Sequence, residues 1–170
     1  MSHPPHVLVV CTGNAARSVM AGALLDSCGV DARVTTAGTH VVEHQPMSRR
    51  TRDALLAIGV AAPEHRSRQI AESDVSSADL VIAMAAEHVN YVRRRHPEAA
   101  DRTATLCWIA ENLPAGGLPL AERVRDLHLS QVDPQSQGDV PDPAGGDEAE
   151  YLSVARTIKA LVEELVERLR

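Results

Sequence analysis

The string Cys11-Thr12-Gly13-Asn14-Ala15-Ala16-Arg17-Ser18 sets a thiol and a guanidinium at the two ends of a run of small and turn-forming residues. A loop of this make-up can curl its backbone N–H groups toward one centre. Placed before a helix, it forms a nest for an oxyanion at the positive end of the helix dipole. Cys11 would put sulfur under that anion, and Arg17 would fold its fork over two of the oxygens. The same nest favours ionised sulfur, the nucleophilic form. Gly13 allows tight curvature, and Asn14 tolerates left-handed backbone. Ser18 can cap the helix and offer its hydroxyl to sulfur. The chemistry is attack by a thiolate on a tetrahedral oxyanion. Cys-x5-Arg alone is weak evidence, since this composition yields about 0.3 matches by chance. The bland reading, a buried structural Cys at a strand end, leaves the rest of the string unexplained.

Such a loop needs a strand before it and a helix after it. His6 to Cys11 is a short, continuously apolar run, the pattern of a parallel strand buried on both faces. Met20 to Leu25 follows at helical spacing and stops near Gly29. Ala32–Ala37 reads as a second strand. Ser48 can cap a helix to Ile58 that Gly59 stops, and Asp74–Ser77 fits one helical turn. Leu80–Met84 is another buried strand. Glu87–Arg95 is a polar helix that stops before Pro97. Thr103–Cys107 is a fourth strand, with a short helix from Trp108 to Leu113. Pro114 to Gly146 shows little periodicity, which marks a functional or disordered segment. Asp147–Leu169 is a helix whose Val154, Ile158, Leu161, Leu165 and Leu169 form a core-facing lid on the sheet. The alternation predicts an α/β fold: one open, mostly parallel four-stranded sheet with helices on both faces, as a single domain over 1–170. Ligands in such sheets bind beyond the carboxyl ends of the strands. The first such end is Cys11.

Hydrophobic residues make up 44% and charged residues 24%, which is ordinary for a globular chain and excludes disordered or fibrous classes. Aromatic residues are only 2%: Tyr91, Trp108 and Tyr151, with no Phe. A site that grips a ring therefore has few residues to do it with. A net charge of −6 gives no footprint for nucleic acid. The cluster Arg93-Arg94-Arg95 reads as a solvated helix face rather than a docking patch. Three Cys build no disulfide framework, and Val7–Cys11 is too short for a signal or a membrane span. These points predict a reducing cytoplasm and no membrane partner. His3/His6 and His40/His44 make no convincing metal set, so no metal and no cofactor are expected.

The segment Val10 to Ala21, with Cys11 and Arg17 at its centre, resembles the active-site loop of the low-molecular-weight protein tyrosine phosphatase family. The resemblance runs along nearly the whole chain. It takes in the Thr36-Ala37-Gly38-Thr39 turn, the His65-Arg66-Ser67-Arg68-Gln69 stretch, the Ala78–Met84 strand and the late Asp139-Val140-Pro141-Asp142-Pro143 loop. It implies the fold of that family and phosphomonoester hydrolysis through a cysteinyl-phosphate. It also implies a phosphate nest made by Thr12, Gly13, Asn14, Ala15, Ala16, Arg17 and Ser18. Asn14 would bond Ser18 and His65 to hold the loop open; His65 by itself reads equally well as an ordinary surface or core histidine. The implied partner is a phosphorylated protein or a small aryl or amino-acid phosphate.

Transfer of phosphoryl to sulfur expels an oxyanion that needs a proton, and a carboxyl on a loop over the nest can supply it. Asp142 sits between two prolines that restrict its backbone. Asp133, Asp139 and Asp147 compete for the role, and Asp142 by itself could be a turn residue. The Cys11 loop tips the choice to Asp142.

The chain departs from the family in places. Ala16 stands where many members have a second Cys, so oxidised Cys11 lacks a local resolving thiol. Val19, Gly22 and Ala85 replace more usual residues. Ala144 and the loop from His40 to Gln45 lack the aromatic residues that clamp a phosphotyrosine ring. The string Asp142-Pro143-Ala144-Gly145-Gly146 instead resembles the protein arginine phosphatase branch, which favours Thr at the position of Ala15. A thioredoxin-coupled arsenate reductase needs a close Cys pair. Cys28, read as buried on the first helix, and Cys107, read as a strand end, do not supply one. A small-thiol arsenate reductase and a catalytically silent phosphate-binding module complete the alternatives.

Overall fold

The computed structural model describes residues 3–170, so the first two residues of the expected domain lie outside the described residues. In chain order the elements are β1 (His6–Cys11), α1 (Arg17–Ser27), β2 (Arg33–Gly38), α2 (Arg49–Ala57), α3 (Glu72–Ser77), β3 (Leu80–Ala83), α4 (Ala86–Arg95), β4 (Thr103–Thr105), α5 (Leu106–Asn112), α6 (Leu120–Arg125) and α7 (Glu148–Leu169). Short 3-10 turns occupy Pro97–Arg102, Leu129–Gln131 and Pro134–Ser136. Among the described residues the four strands form one sheet in the order β2-β1-β3-β4, and every pairing is parallel.

β1 is central and all six of its residues are buried, which accounts for its unbroken apolar run. Its side chains alternate between two cores. Val7, Val9 and Cys11 join residues of α1, α2, α5, α6 and α7, whereas Leu8 and Val10 join Val75 of α3, Val92 of α4 and Ala99. The connections leave β1 toward β2 on one side and reach β3 on the other, so the carboxyl end of β1 is a topological switch point. Cys11 stands there, paired in register with Gly38 of β2.

Several boundaries differ from the sequence expectations. α1 starts at Arg17, three residues before the apolar spacing begins. β4 ends at Thr105, whose hydroxyl caps α5 by accepting from the Trp108 amide at 3.2 Å. Cys107 therefore lies in the first turn of α5 and not on a strand. Cys28 is the half-buried residue that closes α1. The segment from Pro114 to Gly146 holds α6 and two 3-10 turns, and it is tied to β4 because the Thr105 amide donates to Gln137 Oε1 at 2.8 Å. Helix α7 has the expected face, and Asp147 and Glu150 close a capping box at its start. It packs on α1, α2 and α5, and its buried face shares one core with Val7 and Val9 of β1.

Gly38 ends β2 where the chain runs closest to the loop after β1. A Cβ there would lie 2.5 Å from the Thr12 carbonyl oxygen and 2.9 Å from the Asn14 nitrogen, both backbone atoms that cannot swing aside. Gly38→Ala is expected to cost about 1–3 kcal/mol, the range for an overpacked site, and to distort the loop. Chemical denaturation together with anion binding will show whether both fall; an unchanged midpoint would refute the close-approach argument.

Candidate active site

Between β1 and α1 the chain turns through residues 12–16. Asn14 is fully buried with φ 49°, the left-handed conformation that the sequence assigned to it. Its Nδ2 donates to Ser18 Oγ at 3.0 Å and to Thr36 Oγ1 at 2.9 Å, and its Oδ1 accepts from the Arg68 amide at 3.1 Å. Its carbonyl oxygen lies 2.7 Å from His65 Nε2, which must donate. Thr51 of α2 donates to the Ala15 carbonyl at 3.1 Å. The loop is thus held from four directions, with its carbonyls turned outward into these bonds. α1 begins at the loop's end with no side-chain cap, so its first amides have no helical or capping partner and can meet an anion.

Cys11 is buried, and its Sγ lies 3.0 Å from Ser18 Oγ. Ser18 Oγ already accepts from Asn14, which leaves its hydrogen for sulfur. Ser18 therefore serves the thiol and does not cap α1, contrary to one of the two roles expected of it. Gly13 has no left-handed backbone; the close approach falls at Gly38 instead.

Arg17 is 4% exposed and crosses to the late loop. Nη1 donates to the Val140 carbonyl at 3.1 Å, and Nη2 reaches Asp142 Oδ2 at 3.2 Å and Thr12 Oγ1 at 3.5 Å. Asp142 is half-exposed, and its Oδ1 accepts from the Ala144 amide at 3.0 Å. The rival carboxylates are occupied elsewhere. Asp139 Oδ1 accepts from the first amide of α4, Asp133 caps the turn at Pro134, and Asp147 caps α7. Among the four, Asp142 is the one whose carboxylate meets the guanidinium beside the thiol.

Sequence reasoning missed the partner of Thr12. His88 of α4 is 1% exposed, and its Nε2 lies 2.8 Å from Thr12 Oγ1. This bond ties Thr12 to the first turn of α4, with the donor set by the imidazole tautomer. Burial, helped by the nearby charge of Arg17, lowers the His88 pKa from 6.5 to about 4. The only sequence signal would have been a His in the first turn of a helix that begins beside the switch point. The three aromatic residues divide. Tyr151 is buried in the core of α7 and Trp108 is half-buried on α5, whereas the Tyr91 ring meets the His40 ring edge-on at 5.5 Å, beside the loop after β2.

Comparison with known proteins gives a consistent kinship. A family model described as low molecular weight phosphotyrosine protein phosphatase matches residues 6–115. A protein-arginine-phosphatase of Geobacillus stearothermophilus is 31% identical over 170 residues, spanning 98% of this chain and 97% of that one. Low molecular weight protein-tyrosine phosphatase A of Mycobacterium tuberculosis is 31% identical over 172 residues, spanning 94% of this chain and 88% of the relative. Among solved structures, a mutant YwlE arginine phosphatase with a phosphorylated active-site serine superposes with a TM-score of 0.79. It is 26% identical and covers 96% of this chain and 95% of its own.

The buried neutral His88 has a consequence for stability. Its folded pKa lies below the unfolded value of 6.5, so the native state binds fewer protons than the unfolded chain. Its contribution is complete above pH 6.5 and is lost as pH falls toward about 4. Near pH 5 the loss amounts to about 2 kcal/mol. Denaturant midpoints measured from pH 7 to pH 5 should fall in the wild type and fall less in His88→Asn. An equal slope in both would move the effect to His6, whose pKa burial also lowers.

Proposed function

Because the chain belongs to the low molecular weight phosphotyrosine protein phosphatase family, we propose that it hydrolyses phosphorylated side chains of proteins through a cysteinyl-phosphate. The observation that carries this reading is the convergence of Cys11 Sγ, the Ser18 hydroxyl, the Arg17 guanidinium and the Asp142 carboxylate at the open amide end of α1.

In the first step Cys11 sulfur attacks phosphorus, the S–P bond forms and the bond to the leaving atom breaks. Asp142 gives its proton to that atom. Arg17 and the amides from Thr12 to Ser18 hold the three equatorial oxygens, where charge gathers in the transition state. Asn14 and His65 are positioning groups that keep the amides converged. Arg17 Nη2 now holds Asp142, so an arriving phosphoryl dianion takes over that fork. The carboxyl is then released beside the leaving atom that is to receive its proton. In the second step water loses a proton to Asp142 and attacks phosphorus. The S–P bond breaks and the thiolate returns. The nest and the guanidinium supply the positive charge that this transfer requires, so the scheme calls for no metal or cofactor. A reducing cytoplasm suits a mechanism that depends on unoxidised Cys11.

Tyrosine is the substrate side chain that the matching family model points to. A second reading, phosphoarginine, is favoured by the end-to-end match to a protein-arginine-phosphatase and by Ala144, which leaves no ring after Pro143. Either leaving atom receives its proton from the same carboxyl. Parallel rates on phosphotyrosine and phosphoarginine peptides, with arsenate as a third arm, decide between them.

Cys11→Ser should abolish turnover of an aryl phosphate, and retained turnover would remove sulfur from the mechanism. Asp142→Asn should slow a poor leaving group by about 100-fold or more, the usual reach of general acid catalysis, and slow a nitrophenolate far less. Equal losses on both would mean that Asp142 is not the acid.

A further inference from the structure

A groove of about 520 Å³ lies between the loop after β2 and helix α4. Its near end adjoins the loop after β1, since the Thr39 and His40 amides donate to the carbonyls of Cys11 and Thr12 at 3.0 and 2.9 Å. Gln69 braces the wall: its Oε1 accepts from the Val41 amide at 3.0 Å, and its Nε2 donates to the Thr39 carbonyl at 2.7 Å and to the Tyr91 hydroxyl at 3.3 Å. Tyr91 in turn holds the His40 ring. Val42 stands 75% exposed on the rim. Arg95 lines the far end, one helical turn beyond Tyr91.

The arginine cluster on α4 is therefore not one solvated face. Arg93 turns inward, and its Nη2 donates to the carbonyls of Leu129 and Val132 at 2.6 and 2.9 Å. Arg95 is exposed and makes no ion pair or hydrogen bond of its own among the described residues. It is a free cation on a chain of net charge −6. The nearest acidic residue of the loop, Glu43, is engaged with the Gln69 amide at 3.3 Å and with His44 at 3.9 Å.

We propose that this groove takes the polypeptide flanking the phosphorylated residue and that Arg95 selects substrates with an acidic residue there. The proposal rests on the phosphatase reading above. An extended chain rises about 3.3 Å per residue, and one helical turn is about 5.4 Å. A chain leaving the nest past His40 and Tyr91 thus brings a residue a few positions from the phosphorylated one to Arg95. The braced rings and Val42 offer apolar contact on the way. Inorganic phosphate and small aryl phosphates fill the nest alone and do not reach Arg95.

The test compares phosphopeptides that differ only in the two to four residues on either side of the phosphorylated residue: acidic, neutral or basic. Affinity is titrated on the Cys11→Ser variant and kcat/KM is measured on the wild type. Acidic peptides should be favoured about threefold to fivefold over neutral ones, the scale of one exposed ion pair, and the advantage should shrink with added salt. Arg95→Glu should reverse the order, Arg95→Lys should keep it, and both should turn over an aryl phosphate at the wild-type rate. No acidic preference in the wild type, or the same preference in Arg95→Glu, overturns the proposal. Loss of aryl phosphate turnover by the wild type would instead overturn the phosphatase reading, and the affinities of the Cys11→Ser variant would still judge the groove.

Discussion

The site depends on one buried side chain, Asn14. A chain that must turn from a strand end into a helix start, with its amides inward, has to hold at least one residue in left-handed backbone and to satisfy its outward carbonyls. Asn14 does both, and its amide group also binds Ser18, Thr36 and the Arg68 backbone. Such a residue costs energy in isolation. It persists because groups from α1, β2 and the stretch before α3 all agree on its position. His65 and Thr51 extend the same logic to the neighbouring carbonyls. The loop is thus held in shape by the protein's own bonds, and fixed dipoles are the kind that stabilise developing charge without reorganising.

Arg17 adds the second constraint. It belongs to the first helix of the chain yet binds the Val140 carbonyl and Asp142, more than a hundred residues later. The late loop is also pinned to the sheet: the Val140 amide donates to the Met84 carbonyl, and Asp139 takes the first amide of α4. A buried guanidinium needs partners on every side. The late loop supplies them, so Asp142, the proposed acid, and the loop after β1 are brought together by a single requirement for pairing. The long segment before it, poor in periodicity, is ordered by side chains such as Gln137 and Arg93 as well as by α6 and two 3-10 turns.

What was legible in the sequence follows from these physical scales. Strands buried on both faces and a long amphipathic helix announce themselves by composition, and β1 and α7 lie where the pattern put them. The Cys11 loop was legible because each residue type in it answers a local need. α6 was not, since Leu120 and Val124 alone carry its apolar face and its six residues hold shape only through packing. The end of β4 was misplaced because Thr105 caps α5, and a β-branched residue followed by apolar residues looks the same in either setting. His88 and Gly38 were invisible as site parts for a different reason. Their roles exist only across the switch point, where α4 and β2 meet the loop after β1.

The scarcity of aromatic residues then acquires a specific meaning. Two of the three are spent on packing, and the third, Tyr91, is tied by Gln69 and His40 into the wall of a groove and not into a clamp over the nest. With Ala144 leaving the other side bare, little grips the leaving group itself. Binding energy that the leaving group cannot supply must come from elsewhere on the substrate if the reaction is to be selective. The proposed groove, which adjoins the loop after β1 and ends at an arginine without an ion pair among the described residues, is where such energy is available. The proposed groove thus moves recognition from the ring to the flanking polypeptide, while Cys11 and Arg17, at the two ends of their loop, would meet only the phosphoryl group.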